Sequence, residues 1–267
     1  MILSGSIHAI VNALIKGGRD KAAGRAATDA TSALILLPAL ALAPLPTGAW
    51  AHLAASAVVH AGYLYALVRA YEVGDFSAAY PVLRGTAPLA TAAVSVGLLG
   101  EPASAADLAG VALIGGSMVA LVAGRHLSRA ALGWSVLTGV AIAGYTLVDA
   151  SGVRAAPTPV SYIVWAFVLM GALTTAMFAG LKGPALFAAM REQWRPGLAA
   201  GALSIVTYGL ALTAFSLGPT APLAALRETG MVTAVLIGAV ALKERVTPAR
   251  AAAVAGVLAG AALILAA

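Results

Sequence analysis

Cysteine is absent from this 267-residue chain, and charged residues make up only 10% of it. The first absence excludes disulfide frameworks, thiolate metal sites and cysteine nucleophiles. The second excludes an ordinary water-facing surface, because soluble domains carry about 25% charged residues. Enzyme signatures are missing too: there is no GxSxG, no Walker loop, no HExxH and no His/Asp pair at metal-ligand spacing. No catalytic residue, cofactor or metal is therefore expected. What remains is 61% hydrophobic, with a mean hydropathy of +0.95, and implies that the solvent is lipid. A net charge of +6 could suit nucleic acid. The basic residues, however, fall in short clusters between apolar runs and form no continuous face, so no nucleic-acid partner is expected.

A bilayer core roughly 30 Å thick needs about 20 apolar residues per helix. Cutting the chain where charge, Pro or Gly clusters interrupt apolar runs predicts ten spans, at 2–16, 28–43, 50–71, 77–99, 105–123, 131–150, 159–179, 196–217, 220–242 and 248–266. The first run carries His8 and Asn12 and ends at Lys16, without the charged start and cleavage site of a leader. It reads as a short first span. The longest polar stretches, 17–27 and 182–195, are too small for a soluble domain, so function is expected inside the membrane.

Lys and Arg stay preferentially on the cytoplasmic side. Twelve fall in one alternating set of loops: Lys16, Arg19, Lys21, Arg25, Arg125, Arg129, Lys182, Arg191, Arg195, Lys243, Arg245 and Arg250. Only Arg154 falls in the other set, while Arg69, Arg84 and Arg227 lie within or at the ends of helices. With ten spans both termini are predicted to be non-cytoplasmic.

The run YPVLRGTAPLATAAVSVGLLGE, ending at Glu101, aligns without gaps with AALRETGMVTAVLIGAVALKE, ending at Glu244, once its first residue is dropped. Arg84 and Arg227, Glu101 and Glu244, and Tyr65 and Tyr208 are all 143 positions apart. Spans three to five thus match spans eight to ten, although Ala-rich helices can also align by chance. A five-span unit is odd, so a second copy enters the membrane inverted. Inverted repeats characterise transporters whose solute site lies near the midplane between the halves. The expected fold is an all-α integral membrane protein of about ten transmembrane helices, with residues 1–127 as the first five-helix repeat and 128–267 as the second.

HAIVNALIKGGRDK near the N-terminus, YPVLRGTAPL, YTLVDASGVR and the final LRETGMVTAVLIGAVALKERVTPARAAAVAGVLAGAALIL together resemble the EamA family of the drug/metabolite transporter superfamily. The resemblance covers essentially the whole chain. It implies ten helices in two inverted repeats that move metabolites such as amino acids, often as an exporter. Members are often expected to have cytoplasmic termini, and the positive residues here argue the reverse.

Ionisable residues inside the membrane are costly and by default line a cavity or pair with one another. His8, Asn12 and Lys16, four apart, share one helix face. Asn12 could simply bond a neighbouring helix, and Lys16 could snorkel to the interface. Tyr80 and Arg84 share a face beside Gly85 and Pro88, where a broken helix could frame a site or a kink could improve packing. Arg227 and Glu228 are about 100° apart on a helix and need separate partners. Asp149, four residues after Tyr145, is a candidate anion for Arg227 or Arg84, with Glu228 pairing the remaining arginine. Two arginines at equivalent positions would suit a carboxylate, phosphonate or phosphate, and a carboxylate alongside would favour a zwitterion. The charges could instead only lock the halves together. His60 is the candidate proton-coupling group, or else a hydrogen-bonded structural histidine. Tyr65, Arg69 and Glu72 form an expected interfacial cluster, and Glu101 and Glu244 are expected to cap or anchor loops. Trp50 and Trp194 read as interfacial anchors, Trp134 and Trp165 as anchors or stacking surfaces. Gly197/Gly201 and Gly256/Gly260 have the spacing that lets helices approach closely.

The expected substrate-binding set is therefore His8, Asn12, Tyr80, Arg84, Tyr145, Asp149, Arg227 and Glu228. The expected function is a secondary transporter, in the exporter direction, of a small polar or zwitterionic metabolite. Its partners are that substrate, a proton as the coupling species where there is one, and the lipid bilayer of the cell membrane. Two other readings are a lipid or lipid-linked headgroup translocase and a non-transporting membrane subunit.

Overall fold

The computed structural model describes residues 1–16, 20–74, 76–122, 127–240, 243 and 246–267. Arg19, Arg125, His126, Glu244 and Arg245 lie outside the described residues, and so does the side chain of Lys16. The described chain is helical, with no strand. In order the helices are α1 (Ile2–Lys16), α2 (Lys21–Leu36), α3 (Trp50–Val73), α4 (Phe76–Gly97), α5 (Ala105–Ala120) and α6 (Arg129–Ala155). Then follow α7 (Pro159–Lys182), α8 (Ala185–Glu192), α9 (Trp194–Leu217), α10 (Thr220–Arg227), α11 (Gly230–Val240) and α12 (Pro248–Leu265). A 3-10 turn, Leu37–Ala41, extends α2. Among the described residues six stretches are long and apolar enough to cross a membrane: α3, α6, α7, α9, α12 and the combined Thr220–Val240. This is the build of a multi-pass membrane protein.

Polar caps start the helices where the sequence supplies them. Ser128, Thr158 and Thr247 each accept a backbone N–H from the first turn of the helix that follows, and the latter two are followed by Pro at the first helical position. Ser104 and Asp107 form a reciprocal capping box on α5. Asp20 caps α2, accepting from the Ala23 N–H at 3.0 Å. That cap starts α2 seven residues before the predicted span at 28 and makes helix of a stretch read as polar loop. Arg25, expected among the loop anchors, accordingly lies on the second turn of α2.

Two further corrections concern breaks. α4 runs unbroken through Pro81 and Pro88, whereas its predicted counterpart near the C-terminus divides into α10 and α11. There Met231 N–H bonds the Glu228 carbonyl rather than the Arg227 carbonyl that a continuous helix would use. The polar stretch 182–195 also holds α8, a short amphipathic helix with Leu186 fully buried.

Large apolar side chains cover the outer surface as well as filling the core, and many hydroxyls are buried with that core. Leu42 and Leu217 are 89% and 83% exposed, while Ser4, Ser95, Ser135, Thr138 and Ser161 are fully buried. Several buried hydroxyls return to their own helix, as Thr28 to Gly24 O and Ser135 to Ala131 O, or cross between helices, while Ser95 Oγ and Thr174 Oγ1 have no partner among the described residues. Ser4 Oγ donates to the Thr207 carbonyl at 2.6 Å and Thr207 Oγ1 donates back to the Ser4 carbonyl, tying α1 to α9. In a lipid solvent such bonds and close backbone packing replace the hydrophobic effect as the source of helix association.

The principal packed pairs are α3 with α6, α4 with α6, α2 with α7 and α9, α5 with α12, α1 with α9 and α11, and α4 with α5 and α10. Glycine makes the tightest crossings possible. A Cβ on Gly110 would lie 2.6 Å from the Gly260 carbonyl oxygen, and one on Gly260 would lie 2.7 Å from that of Gly110. Gly197 and Gly201 press on Ala27 and on Thr28 and Thr31 of α2, and Gly256 presses on Ser117. Both small-residue spacings thus mark real contacts.

Hydrogen bonds sort the connections into two ends. At one end Lys182 Nζ meets Asp20 Oδ2 at 2.5 Å and Gln193 Nε2 donates to the Asp20 carbonyl. At the other, Ser161 bonds the Pro44 carbonyl and Arg154 reaches Glu101 and Gly218.

Candidate functional site

Charge gathers where α4 meets α10. Arg84 Nε lies 2.8 Å from Glu228 Oε2, with side chains 13% and 6% exposed. The N–H does not point along that line, so the contact is an ion pair by proximity rather than an aligned hydrogen bond. The Arg84 guanidinium also sits 6.0 Å over the Tyr80 ring, as their spacing on one face predicts. Pro88 lacks an N–H and so withdraws the helical partner of the Arg84 carbonyl. At Arg227, which aligns with Arg84 in sequence, the α10–α11 break withdraws the Met231 N–H in the same way. The two matched arginines both stand where helical bonding lapses. Gly5 of α1 fills the gap at Arg227, so close that a Cβ would lie 2.2 Å from its carbonyl oxygen.

Arg227 forms no ion pair with Glu228 and lies over the Tyr208 ring, 5.2 Å from its centroid. Its buried Nε has no hydrogen-bond partner among the described residues. Asp149 pairs with neither arginine, contrary to the sequence-based candidate pairing. Its Oδ1 accepts from Tyr162 at 2.7 Å and its Oδ2 accepts from Tyr208. Two phenols thus hydrogen-bond a fully buried carboxylate, which has no cation paired to it among the described residues. Tyr208 is shared: its hydroxyl serves Asp149 and its face serves Arg227.

His60 and Tyr145 stack with ring centroids 4.0 Å apart, and Tyr63 meets both edge-on. His60 Nδ1 lies 3.0 Å from the Ser56 carbonyl and 3.2 Å from the Ser56 hydroxyl, one turn back on the same helix. His60 is thus a histidine hydrogen-bonded to its own helix. His8 is partly buried within electrostatic reach of Arg227, Arg84 and Arg25, and Asn12 lies one turn on, also partly buried.

The structure adds residues that sequence reasoning did not assign to the site. Arg25 Nε pairs with Asp29 Oδ2 at 2.8 Å, and both lie within electrostatic reach of Tyr63 or His60. Their i, i+4 spacing in an Ala-rich stretch after a capping Asp was the available signal. Tyr208 was visible as the repeat partner of Tyr65, yet the two diverge. Tyr65 is 61% exposed against Trp134, beside the Arg69–Glu72 pair. Tyr162 carried no signal beyond a phenol in an apolar run.

A second polar network lies away from this cluster. Arg154 Nη1 donates to Glu101 Oε1 at 2.6 Å, its Nε to the Phe215 carbonyl at 2.8 Å, and its Nη2 to the Gly218 carbonyl at 2.7 Å. The Thr220 N–H and hydroxyl both donate to Glu101, at 2.6 and 2.8 Å. Arg154 therefore caps the end of α9 while Glu101 caps the start of α10. Burial opposes the Glu101 charge, but the Thr220 and Arg154 hydrogen bonds outweigh it and hold its pKa below the ordinary value.

No family model and no curated protein matches this chain. Solved structures do. Twenty-four chains match, among them a protein crystal structure that superposes with a TM-score of 0.75 at 21% identity, over 99% of this chain and 95% of its own. At that identity the likeness is one of fold alone.

Proposed function

We propose that this chain is a secondary transporter of the EamA type, within the drug/metabolite transporter superfamily, that exports a small polar or zwitterionic metabolite such as an amino acid by alternating access. In this reading the ten spans are α1, α2 with its 3-10 turn, α3, α4, α5, α6, α7, α9, α10 with α11, and α12, and α8 lies at the membrane surface. The halves are 1–127 and 128–267, in inverted orientation.

Helix packing supports the repeat. Exchanging each span for the one five places on turns α3·α6 into α9·α1, α4·α6 into the α10/α11 pairing with α1, and α2·α9 into α7·α3, all observed. The pairs α2·α7, α5·α12 and α4·α10 map onto themselves, as contacts on a pseudo-two-fold axis must. The Arg84–Glu228 ion pair carries the functional reading. It lies at the self-mapped contact of α4 with α10 and ties one half to the other.

A charge in mid-membrane costs about 2.5–3.5 kcal/mol on insertion scales, and such residues mark substrate and ion paths. Here the charges cluster at the axis about which two halves would rock. Arg227, with an unsatisfied N–H, and Asp149, held by phenols, offer a cation and an anion beside one aromatic ring. That pairing suits the carboxylate and ammonium of a zwitterion. His60, stacked on Tyr145, brings an imidazole alongside as the candidate proton-coupling group.

Counterflow into proteoliposomes tests the reading, with the purified protein and a panel of amino acids, aminophosphonates, nucleosides and sugar phosphates. Saturable exchange of a zwitterion, lost in a folded Arg227→Ala variant, is the expected result. Exchange that survives that substitution would remove Arg227 from the site, and no exchange from folded protein would overturn the transporter reading.

A further inference from the structure

We propose that Glu228 is a specificity-determining residue that restricts the site to cargo with a single negative charge. This rests on the reading of the cluster as the solute site and sharpens the anionic group of the zwitterion from any oxyanion to a single carboxylate.

The charges leave one excess of each sign. Arg25 is matched by Asp29 at 2.8 Å and Arg84 by Glu228 at 2.8 Å. Arg227 forms no ion pair among the described residues, and its Nε is buried without an acceptor. Asp149 is held by Tyr162 and Tyr208 and likewise has no cation paired to it. What complements the site is one acceptor with a single negative charge at Arg227 and one cationic group towards Asp149.

A phosphate or phosphonate dianion needs more than a single guanidinium, because its second charge calls for a second fork. The second arginine available is Arg84, and Glu228 occupies it. A dianion drawn to Arg84 would also face the Glu228 carboxylate, which lies within electrostatic reach of both arginines. The equivalence of Arg84 and Arg227 in the repeat suggests a symmetric two-arginine clamp. Glu228, whose counterpart in the first repeat is Gly85, converts that clamp into a one-charge site.

Equilibrium dialysis of radiolabelled inorganic phosphate, near pH 8, against the purified full-length protein tests this. Glu228→Gln releases Arg84 and should bind phosphate roughly tenfold tighter than wild type, a charge-assisted gain. Arg84→Gln/Glu228→Gln, which removes the released charge again, should return to the wild-type value. Equal binding by all three, or equal gain in the single and double variants, overturns the proposal. A second comparison uses wild type alone: aminomethylphosphonate binding tighter than glycine overturns it whether or not Glu228→Gln folds. Dialysis needs no flux. The predicted phosphate pattern without solute exchange would refute transport and uphold the charge restriction, whereas exchange with unchanged phosphate binding would refute the restriction alone.

Discussion

The Arg84–Glu228 pair makes an asymmetric stability prediction. At 2.8 Å and an effective dielectric of about 20, Coulomb's law gives about 6 kcal/mol of attraction. Desolvation of two side chains only 13% and 6% exposed offsets most of it. Glu228→Gln then leaves two guanidinium groups, Arg84 and Arg227, without the carboxylate that acts on both, and a guanidinium cannot shed its proton. The expected loss is about 3–5 kcal/mol, the cost of breaking a buried pair from one side. Arg84→Gln is milder, because Glu228 can turn to Arg227 or take up a proton, and about 1–2 kcal/mol is expected for the rearranged hydrogen bonding. The double variant should fall within about 1 kcal/mol of wild type, since no uncompensated charge is added. Denaturant titration in detergent, followed by the fluorescence of the four tryptophans, measures all three. Equal losses in the two single variants, or a double variant as unstable as their sum, would refute the reasoning.

Gly5→Ala should destabilise the fold by about 1–3 kcal/mol through overpacking, because the added Cβ would stand 2.2 Å from a backbone oxygen that cannot rotate away; a Tm equal to that of wild type would contradict the crossing of α1 with α10 and α11. Glu101 has a depressed pKa in the folded state, so its contribution is present above its unfolded value of about 4.3 and fades as pH falls through the lower folded value. Glu101→Gln should therefore lower stability near neutrality and flatten the acid limb below about pH 4.3, and an unchanged pH profile would exclude the carboxylate from the network. Orientation can be read in the cysteine-free chain. Thr220 would be an obvious probe from its place in the sequence, but it is fully buried and bonded to Glu101. Ala105 and Ala188 are exposed, near opposite ends. Single cysteines there should label from the non-cytoplasmic and cytoplasmic faces respectively, and the reverse pattern would overturn the charge-based orientation.

Helical architecture was readable from composition because lipid removes the alternatives: only apolar runs with internally satisfied backbones persist there. Each of the ten apolar segments falls largely on helix. Errors came where local chemistry overrode hydropathy. Asp20 capping extended α2 into a charged stretch, and prolines flagged α4 while the break fell at the proline-free Glu228–Thr229 step of the segment that aligns with it. Arg84, Arg227, Tyr80 and Glu228 were legible as costly residues on expected helices, and the separate partners required of Arg227 and Glu228 followed from the 100° between them. Which anion met which arginine was not legible. Asp149 went to Tyr162 and Tyr208, phenols that hydropathy treats as ordinary apolar residues, and nothing in one sequence sets the rotation of α6 against α7 and α9.

Alternating access to one site is the central claim, and a single cysteine at Tyr145, beside His60, tests it most directly in a chain with no native cysteine. In sealed vesicles, membrane-impermeant maleimide should label Tyr145→Cys from either face, and the solute that exchanges in counterflow should slow both reactions. Labelling confined to one face, with or without solute, would contradict the account.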